Sequence, residues 1–470
     1  MDFLNAFTTL EGGMLLLFAF CIITVCVFEF INGFHDTANA VATVIYTKSL
    51  KPKQAVLLSG TLNFLGMALS VYFFGMKVAV KMVQLLPMDK LSDLSTAENI
   101  SLIAAVLIGA IIWNFGTWFF GIPCSSSHTM IGSLLGATIG FFLMHGGSVK
   151  DIIDSKPFEK GQEVLTWMLI SPLFGFTVAI VLVFIVRRMF KKKNMFKEFK
   201  EGSTPPKGVR ALLIGTCSLV SFFHGSNDGQ KGLGLLMIIL MTFLPLKYAL
   251  KKDFANQDSL NHLSTVTSTL ASKNDHGQFD GTLKIVEDIK SDIAVRADTT
   301  KKGIFTIRKR LQSLQKEVEY IVKDGEKIDK ESSKVLKSEM KYFKSYTDGN
   351  PGTIPLMLIA LSIGVGTVFG WKRIVVTIGE KIGKTHMSYG QGAISEVVAA
   401  STIGLSTYFG LPVSTTHVLT SGVAGSMVAT GGVKNLQKGT MKSIALAWIL
   451  TLPVTVLLSL GLYLLFRLFA

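Results

Sequence analysis

Residues 121–128 read Gly-Ile-Pro-Cys-Ser-Ser-Ser-His, and residues 410–417 read Gly-Leu-Pro-Val-Ser-Thr-Thr-His. One pattern, G-[IL]-P-x-S-[ST]-[ST]-H, thus occurs twice in a chain of 470 residues. Repetition of this kind constrains a fold before any local propensity does. A looser pair accompanies it: Gly33-Phe-His-Asp36-Thr-Ala-Asn39 and Gly225-Ser-Asn-Asp228-Gly-Gln-Lys231. The interval from acid to proline is longer in the second copy, by roughly the length of a polar block at 250–350. The chain therefore reads as two copies of one unit, the second interrupted by an insert.

Outward from these motifs the chain is apolar. Hydrophobic residues make up 49% and charged residues only 17%, with a mean hydropathy of +0.46. A soluble domain usually carries about 25% charged residues. The charges are also segregated: 12–34, 54–80, 101–146, 164–186, 209–246, 353–371 and 443–466 hold almost none, while 187–208 and 250–350 are dense with them. Several apolar runs reach the ~20 residues a helix needs to cross a bilayer. The fold class read from this pattern is an all-α polytopic membrane protein. A net charge of +15 would suggest nucleic acid in a soluble chain. Here the cations sit in loops beside spans and read as topology signals, so no nucleic-acid partner is expected. Cys21, Cys26, Cys124 and Cys217 all lie in apolar runs, which gives neither a disulfide framework nor metal-ligand spacing. The opening MDFLNAFTTLEGG lacks a basic n-region, so the first apolar run reads as a retained span.

The organisation that follows has five parts. Residues 1–186 form the first membrane repeat with a connecting span, and 187–208 a basic cytoplasmic linker. The second membrane repeat begins at 209–249, is interrupted by a polar insert at 250–350, and is completed by 351–470. Within the insert, KIVEDIKSDIAV (284–295) and IRKRLQSLQKEVEYIVKD (307–324) place apolar residues three and four apart, which predicts a small helical bundle. Three basic clusters set the topology: Lys48, Lys51 and Lys53; Arg187, Arg188, Lys191, Lys192 and Lys193; Lys372, Arg373, Lys381 and Lys384. Placing all three in the cytoplasm puts an odd number of crossings before the linker. The two copies are then inserted with opposite orientation. The N-terminus, the C-terminus and the insert lie outside the cytoplasm.

The motifs interrupt what would otherwise be membrane helices. Proline removes an N–H and clashes with the preceding turn, and backbone freed at membrane depth must be buried or line a wet cavity. A helix that restarts after such a break points unpaired N–H groups at it, which attracts anions. Ser125, Ser126, Ser127, Ser414, Thr415 and Thr416 add hydroxyl donors around the same points. The run 13–46 is too long for one straight span, and NGFHDTAN is predicted to interrupt it. Broken helices and re-entrant hairpins related by inverted repetition are the arrangement of a secondary transporter with its site at the midplane.

Acids in such runs need a reason. A charge at the bilayer centre costs at least ~2.5–3.5 kcal/mol, so Asp36 and Asp228 are candidate functional groups. A carboxylate repels an anion unless it is protonated or bound to a cation, which couples anion binding to H⁺, Na⁺ or a divalent metal. Glu29 and Glu396 are further coupling candidates. Lys231 either neutralises Asp228 or faces the anion. His35, His128 and His417 can donate to an oxyanion or carry protons. Asn39 and Asn227 offer donors without charge. The bland alternative for the hydroxyls and histidines is helix packing, and Gly132, Gly136 and Gly140 read as a close packing face.

FINGFHDTANAVATVIYT, GIPCSSSHTMIGSLLG, HGSNDGQKGLGL, TIGEKIGK and GLPVSTTHVLTSGVAG resemble the signature stretches of the Pit family of inorganic phosphate transporters, most closely its bacterial low-affinity members. The resemblance covers roughly 10–246 and 353–468. It implies inverted repeats of about ten to twelve membrane helices, a homodimer in lipid, and the bacterial cytoplasmic (inner) membrane. It also implies phosphate carried with protons or sodium, the bacterial branch being associated with neutral metal–phosphate complexes and proton coupling. Carried onto this sequence, it places Asp36, Asn39, Asn227 and Asp228 in the duplicated N-D motifs and Ser125, Ser126, Ser414 and Thr415 on the phosphate. His35 and Lys231 stand where the family's G-x-N-D-x-x-N pattern has asparagines, which favours proton or metal–phosphate coupling over sodium.

The expected function is secondary active import of inorganic phosphate by proton symport, with a neutral metal–phosphate complex as one form of the cargo. No resident cofactor and no enzymatic activity are expected. The alternatives are a sodium-coupled or other oxyanion symporter, a passive anion channel, and a membrane-embedded hydrolase using Ser125 with His128 or Ser414 with His417.

Overall fold

The computed structural model describes residues 2–87, 94–189, 193–196, 205–250, 254, 256–274, 277–295, 300–323, 328–347 and 351–469. Lys191 and Lys192 of the basic linker lie outside the described residues. The regular structure among these residues is helical, with one isolated β-bridge between Gly383 and Leu436. The chain divides into two compact units. Met1–Phe18, Pro87–Asn99 and Met237–Gly352 make up the smaller; Ala19–Leu86, Ile100–Leu236 and Thr353–Ala470 make up the larger.

In chain order the main helices are α1 (Gly12–Tyr46), α2 (Pro52–Phe74), α3 (Lys77–Val83), α4 (Thr96–Phe119), α5 (Ser126–Met144), α6 (Lys156–Met189) and α7 (Lys207–Phe243). There follow α8 (Gln257–Ala271), α9 (Asp280–Ala294), α10 (Lys301–Lys323) and α11 (Lys330–Thr347). The chain ends with α12 (Thr353–Val368), α13 (Lys372–Glu380), α14 (Tyr389–Phe409), α15 (Thr415–Gly431) and α16 (Lys438–Phe466). Among the described residues 7 helices are long and apolar enough to cross a membrane: α1, α2, α4, α5, α6, α7 and α16. The number rises to 8 if α12 and α13, bent by 63° at Phe369–Trp371, count as one span.

Both prolines break the chain. The backbone leaves α4 through Gly121 at φ +67° and re-enters helix at Ser126. It leaves α14 through Gly410 at φ +68° and re-enters at Thr415. The break expected at NGFHDTAN is absent: α1 runs unbroken for 35 residues, about 52 Å at ~1.5 Å per residue. The segment holds no proline, so its N–H ladder survives, and its polar side chains bond back along the same helix. Thr37 Oγ1 donates to the Gly33 carbonyl at 2.6 Å, and Asn39 Nδ2 to Asp36 Oδ1 at 3.0 Å. The helix α7 likewise runs through HGSNDGQK without interruption.

Packing in the larger unit crosses between the copies. The first hairpin helix, α5, lies along α16, and the second, α15, lies along α6. The spans α2 and α12 lie against each other. Small residues permit the approach: a Cβ on Gly136 would stand 2.2 Å from the Val456 carbonyl, and one on Gly425 2.4 Å from that of Phe176. Gly132 and Gly140 meet Thr455 and Tyr463 in the same way, so these glycines form a packing face.

In the smaller unit α8 to α11 close a four-helix ring, each packed on the next and α11 back on α8. Leu263, Val266 and Leu270 of α8, Val286, Ile289 and Ile293 of α9, and Ile307, Leu311, Leu314 and Val318 of α10 fill its centre. The spacing of three and four that marks them in sequence is the buried stripe of each helix. Asp329 caps α11 by accepting from the Ser332 N–H at 2.9 Å. That bond, followed by the Lys273 ammonium, holds its carboxyl well below the usual carboxylate range.

Candidate functional site

The two hairpins start their second helices identically. Ser125 Oγ accepts from the His128 N–H at 3.2 Å, and Ser414 Oγ accepts from the His417 N–H at 3.2 Å. Each is an N-cap in extended conformation. The first serine of each triplet therefore shapes the break, and the next two hydroxyls point elsewhere.

Those hydroxyls converge on the two acids. Asp36, buried on α1, accepts from Ser126 Oγ at 2.7 Å and from Thr416 Oγ1 at 2.7 Å, one donor from each hairpin. Asn39 Nδ2 donates to Thr416 Oγ1 at 2.9 Å as well as to Asp36. Asp228, buried on α7, accepts from Thr415 Oγ1 at 3.4 Å. Lys231 pairs with Asp228 and donates to Ser127 Oγ and, at 3.1 Å, to the Val413 carbonyl. It joins the second acid to both hairpins. Ser127 Oγ in turn donates to the Val413 carbonyl at 3.0 Å, so the first turn of α5 touches the unwound segment of the second hairpin.

Between the acids stands His224, a residue the sequence reading passed over. Its Nε2 lies 3.1 Å from Asp228 Oδ2 and 3.6 Å from Asp36 Oδ2. The signal was present as a histidine one helical turn before Asp228 on the same face. The state of that nitrogen follows from its neighbours. Thr367 Oγ1 donates to the Ile363 carbonyl at 2.8 Å and so accepts from Asn63 Nδ2, also at 2.8 Å. The Asn63 oxygen is thereby turned to His224 Nδ1, 3.0 Å away, which must carry the proton. The other ring nitrogen then presents to two carboxylates either a lone pair, which they repel, or a cation. The ligand atoms of Asp36, His224 and Asp228 all lie within 4.8 Å of one another. This cluster can hold a proton or a metal ion.

The remaining candidates surround this centre or lie apart from it. His35 touches Thr117 Oγ1 at 3.2 Å and Cys124 Sγ at 3.4 Å, with Nδ1 3.6 Å from Asp36. His128 and His417, the last residues of the two motifs, face each other with ring centroids 4.6 Å apart, and Trp448 covers His417 at 4.0 Å. Asn227 turns away from the acids and donates to Thr407 Oγ1 at 3.1 Å and the Leu411 carbonyl at 3.2 Å. Glu29 accepts from Asn32 at 3.4 Å. Glu396 accepts from Thr43 and Thr216. Both glutamates are buried.

A second symmetry lies at the mouths of the hairpins. Phe119 and Tyr408 each stand four residues before their hairpin proline. The Phe119 carbonyl accepts from Arg373, whose guanidinium lies 4.9 Å from the Phe119 ring centroid. The Tyr408 carbonyl accepts from Lys77 at 2.8 Å, whose ammonium lies 5.2 Å from the Tyr408 ring. Each cation starts or flanks a short helix, α13 or α3, and satisfies the open C-terminal end of a long one.

Comparison with known proteins agrees with this architecture. Residues 32–459 match the phosphate transporter family. The chain is 36% identical to the low-affinity inorganic phosphate transporter PitB of Escherichia coli (strain K12), over 98% of each chain. It is 36% identical to the low-affinity inorganic phosphate transporter PitA of the same organism, over 97% of each chain. The solved structure of a sodium-dependent phosphate transporter matches in fold with a TM-score of 0.54, at 19% identity, over 97% of this chain and 100% of that one. Two proline-broken hairpins meeting at a pair of buried acids, and a match across nearly the whole length, lead to one conclusion: this membrane protein belongs to the phosphate transporter family.

Proposed function

We propose that the chain imports inorganic phosphate by proton symport, with the coupling proton held between Asp36, His224 and Asp228. The observation that carries this reading is the single imidazole nitrogen shared by two buried carboxylates. A hydroxyl has one proton to give. While Asp36 is ionised, Ser126 and Thr416 spend theirs on it and offer only lone pairs to an anion. Protonating one oxygen of the acid frees the hydroxyl bonded there to donate to a phosphate oxygen, and the first-turn amides of α5 and α15 add donors that lack an intrahelical acceptor. Anion binding and proton binding thus favour each other.

The transport cycle in this reading is alternating access by two copies of opposite orientation, with the hairpins closing around phosphate. A divalent cation travelling as a neutral phosphate complex would use the same three ligands in place of the proton, and is cargo rather than cofactor. Family membership leaves the hydrolase alternative without support, and Ser125 and Ser414 each meet their histidine through a backbone cap. Sulfate, which has no titratable proton in the physiological range, lacks the group that would answer the acids.

The test is labelled phosphate uptake into liposomes holding the purified chain, with pH, Na⁺ and Mg²⁺ gradients imposed separately. Accumulation should follow an inward proton gradient with Na⁺ absent. Accumulation that follows Na⁺ at zero pH gradient overturns the coupling, and accumulation of sulfate in preference to phosphate overturns the substrate.

A further inference from the structure

A cavity of about 950 Å³ opens directly in front of the first hairpin. Gly121, Ile122 and Pro123, the unwound segment itself, form part of its wall. Lys372, Arg373 and Lys381 line it, with Thr440 and Ser443 opposite in sequence, and no aspartate or glutamate is among its lining residues. The three cations are exposed. Arg373 is held in place: it donates to the Phe119 carbonyl and lies 5.1 Å from the Trp118 ring centroid and 4.9 Å from that of Phe119. That carbonyl engages one of the five N–H donors of a guanidinium. Thr377 Oγ1 bonds the Gly121 carbonyl at 2.8 Å and fixes the cavity wall to the break.

A cleft lined by one sign of charge with apolar walls concentrates counter-ions and raises their rate of capture. We infer that this cavity is an antechamber that binds a phosphate oxyanion at low affinity on its path to or from the hairpins. Lys372, Arg373 and Lys381 supply the charge, and the Pro123 break separates the antechamber from Asp36. The inference rests on the phosphate reading above and adds a second, outer site to it. Its occupant is free orthophosphate. An anionic lipid headgroup carries the same tetrahedral group, and the aromatic rim of Phe119 and Phe120 is exposed, so the experiment separates the two sources.

Lysine acylation of the purified full chain, read by mass spectrometry, is the direct test. Millimolar orthophosphate should slow modification of Lys372 and Lys381 at constant ionic strength, and chloride should not. The same protection should persist in Ser126→Ala/Thr416→Ala protein, whose inner site is impaired. Protection by phosphatidylglycerol vesicles with none by orthophosphate would overturn the proposal in favour of a lipid site. Absence of protection by either would overturn it outright. In liposomes with phosphate supplied to the face that carries Lys372 and Lys381, Lys372→Gln/Lys381→Gln should raise the phosphate KM roughly threefold to tenfold, with the loss falling on KM rather than kcat. The steep rise of KM with added salt should flatten, because screening acts on charges the variant has lost. An unchanged KM and salt dependence would also sink the idea. If the wild-type chain accumulates no phosphate at all, the transport reading fails, while the protection assay still reports on the antechamber.

Discussion

The two hairpins share a sequence pattern, a capping serine and a positive-φ glycine, yet they serve the centre unequally. The first gives one hydroxyl to Asp36 and places the next between Lys231 and the Val413 carbonyl. The second gives Thr416 to Asp36 and Thr415 to Asp228. The first break borders a basic cavity, whereas a Cβ on Gly410 of the second would stand 2.4 Å from Lys77. The two hairpins share the backbone device and differ in what their side chains reach. Asp36 is the point where both hairpins are read at once, and Asp228, already paired to a lysine, answers to only one hydroxyl.

That inequality orders the expected effects. Asp36→Asn should be the most damaging change, because it removes the titratable group that both hairpins address and so uncouples phosphate from the proton. Proton-driven phosphate accumulation should fall about 100-fold. Asp228→Asn should cost less, and an equal loss for both would erase the distinction between the acids. Next comes Lys231→Met, which cuts the tie between the second acid and both hairpins. An uptake loss of about tenfold with a displaced pH profile is expected, and a normal profile would show that the lysine is only a spacer. Ser126→Ala and Thr416→Ala should each reduce uptake several-fold, and the pair should depart from additivity because both hydroxyls act on one carboxylate. Strict additivity would mean that the hairpins act independently. The smallest contrast is one of packing. Gly136→Ala and Gly425→Ala should each lower stability by about 1–3 kcal/mol in a detergent melting assay, while Gly116→Ala, with open space around it, should melt like the parent chain.

Much of this centre could be read from the chain itself, for a physical reason. Proline and glycine act on their own backbone, so the breaks at Pro123 and Pro412 are visible in the Gly-x-Pro-x followed by three hydroxyl residues, whereas Pro172 and Pro453, which lack that context, stand inside α6 and α16. Charge in such a run is equally conspicuous, and Asp228 and Lys231 pair as their three-residue spacing suggests. NGFHDTAN misleads because polar letters look like a break, when Thr37 and Asn39 bond within their own helix. His224 escaped because Lys231 offered Asp228 a sufficient partner. Its role depends on Asn63 and Thr367, which no local pattern links to it. The clasps of Arg373 on Phe119 and Lys77 on Tyr408 join segments that only the tertiary fold brings near. Spacing also says nothing about rotamer, so the turn of Asn227 toward Leu411 had no sequence signal.

The crossed seating of α5 on α16 and of α15 on α6 has a mechanical result. Each hairpin rides on a span built by the opposite half of the chain, so neither half holds a hairpin together with the long helix that seats it. A chain cut within the basic linker and expressed as two fragments would have to reassemble before either hairpin was seated. The crossing ties the two halves of the larger unit into one interlocked body.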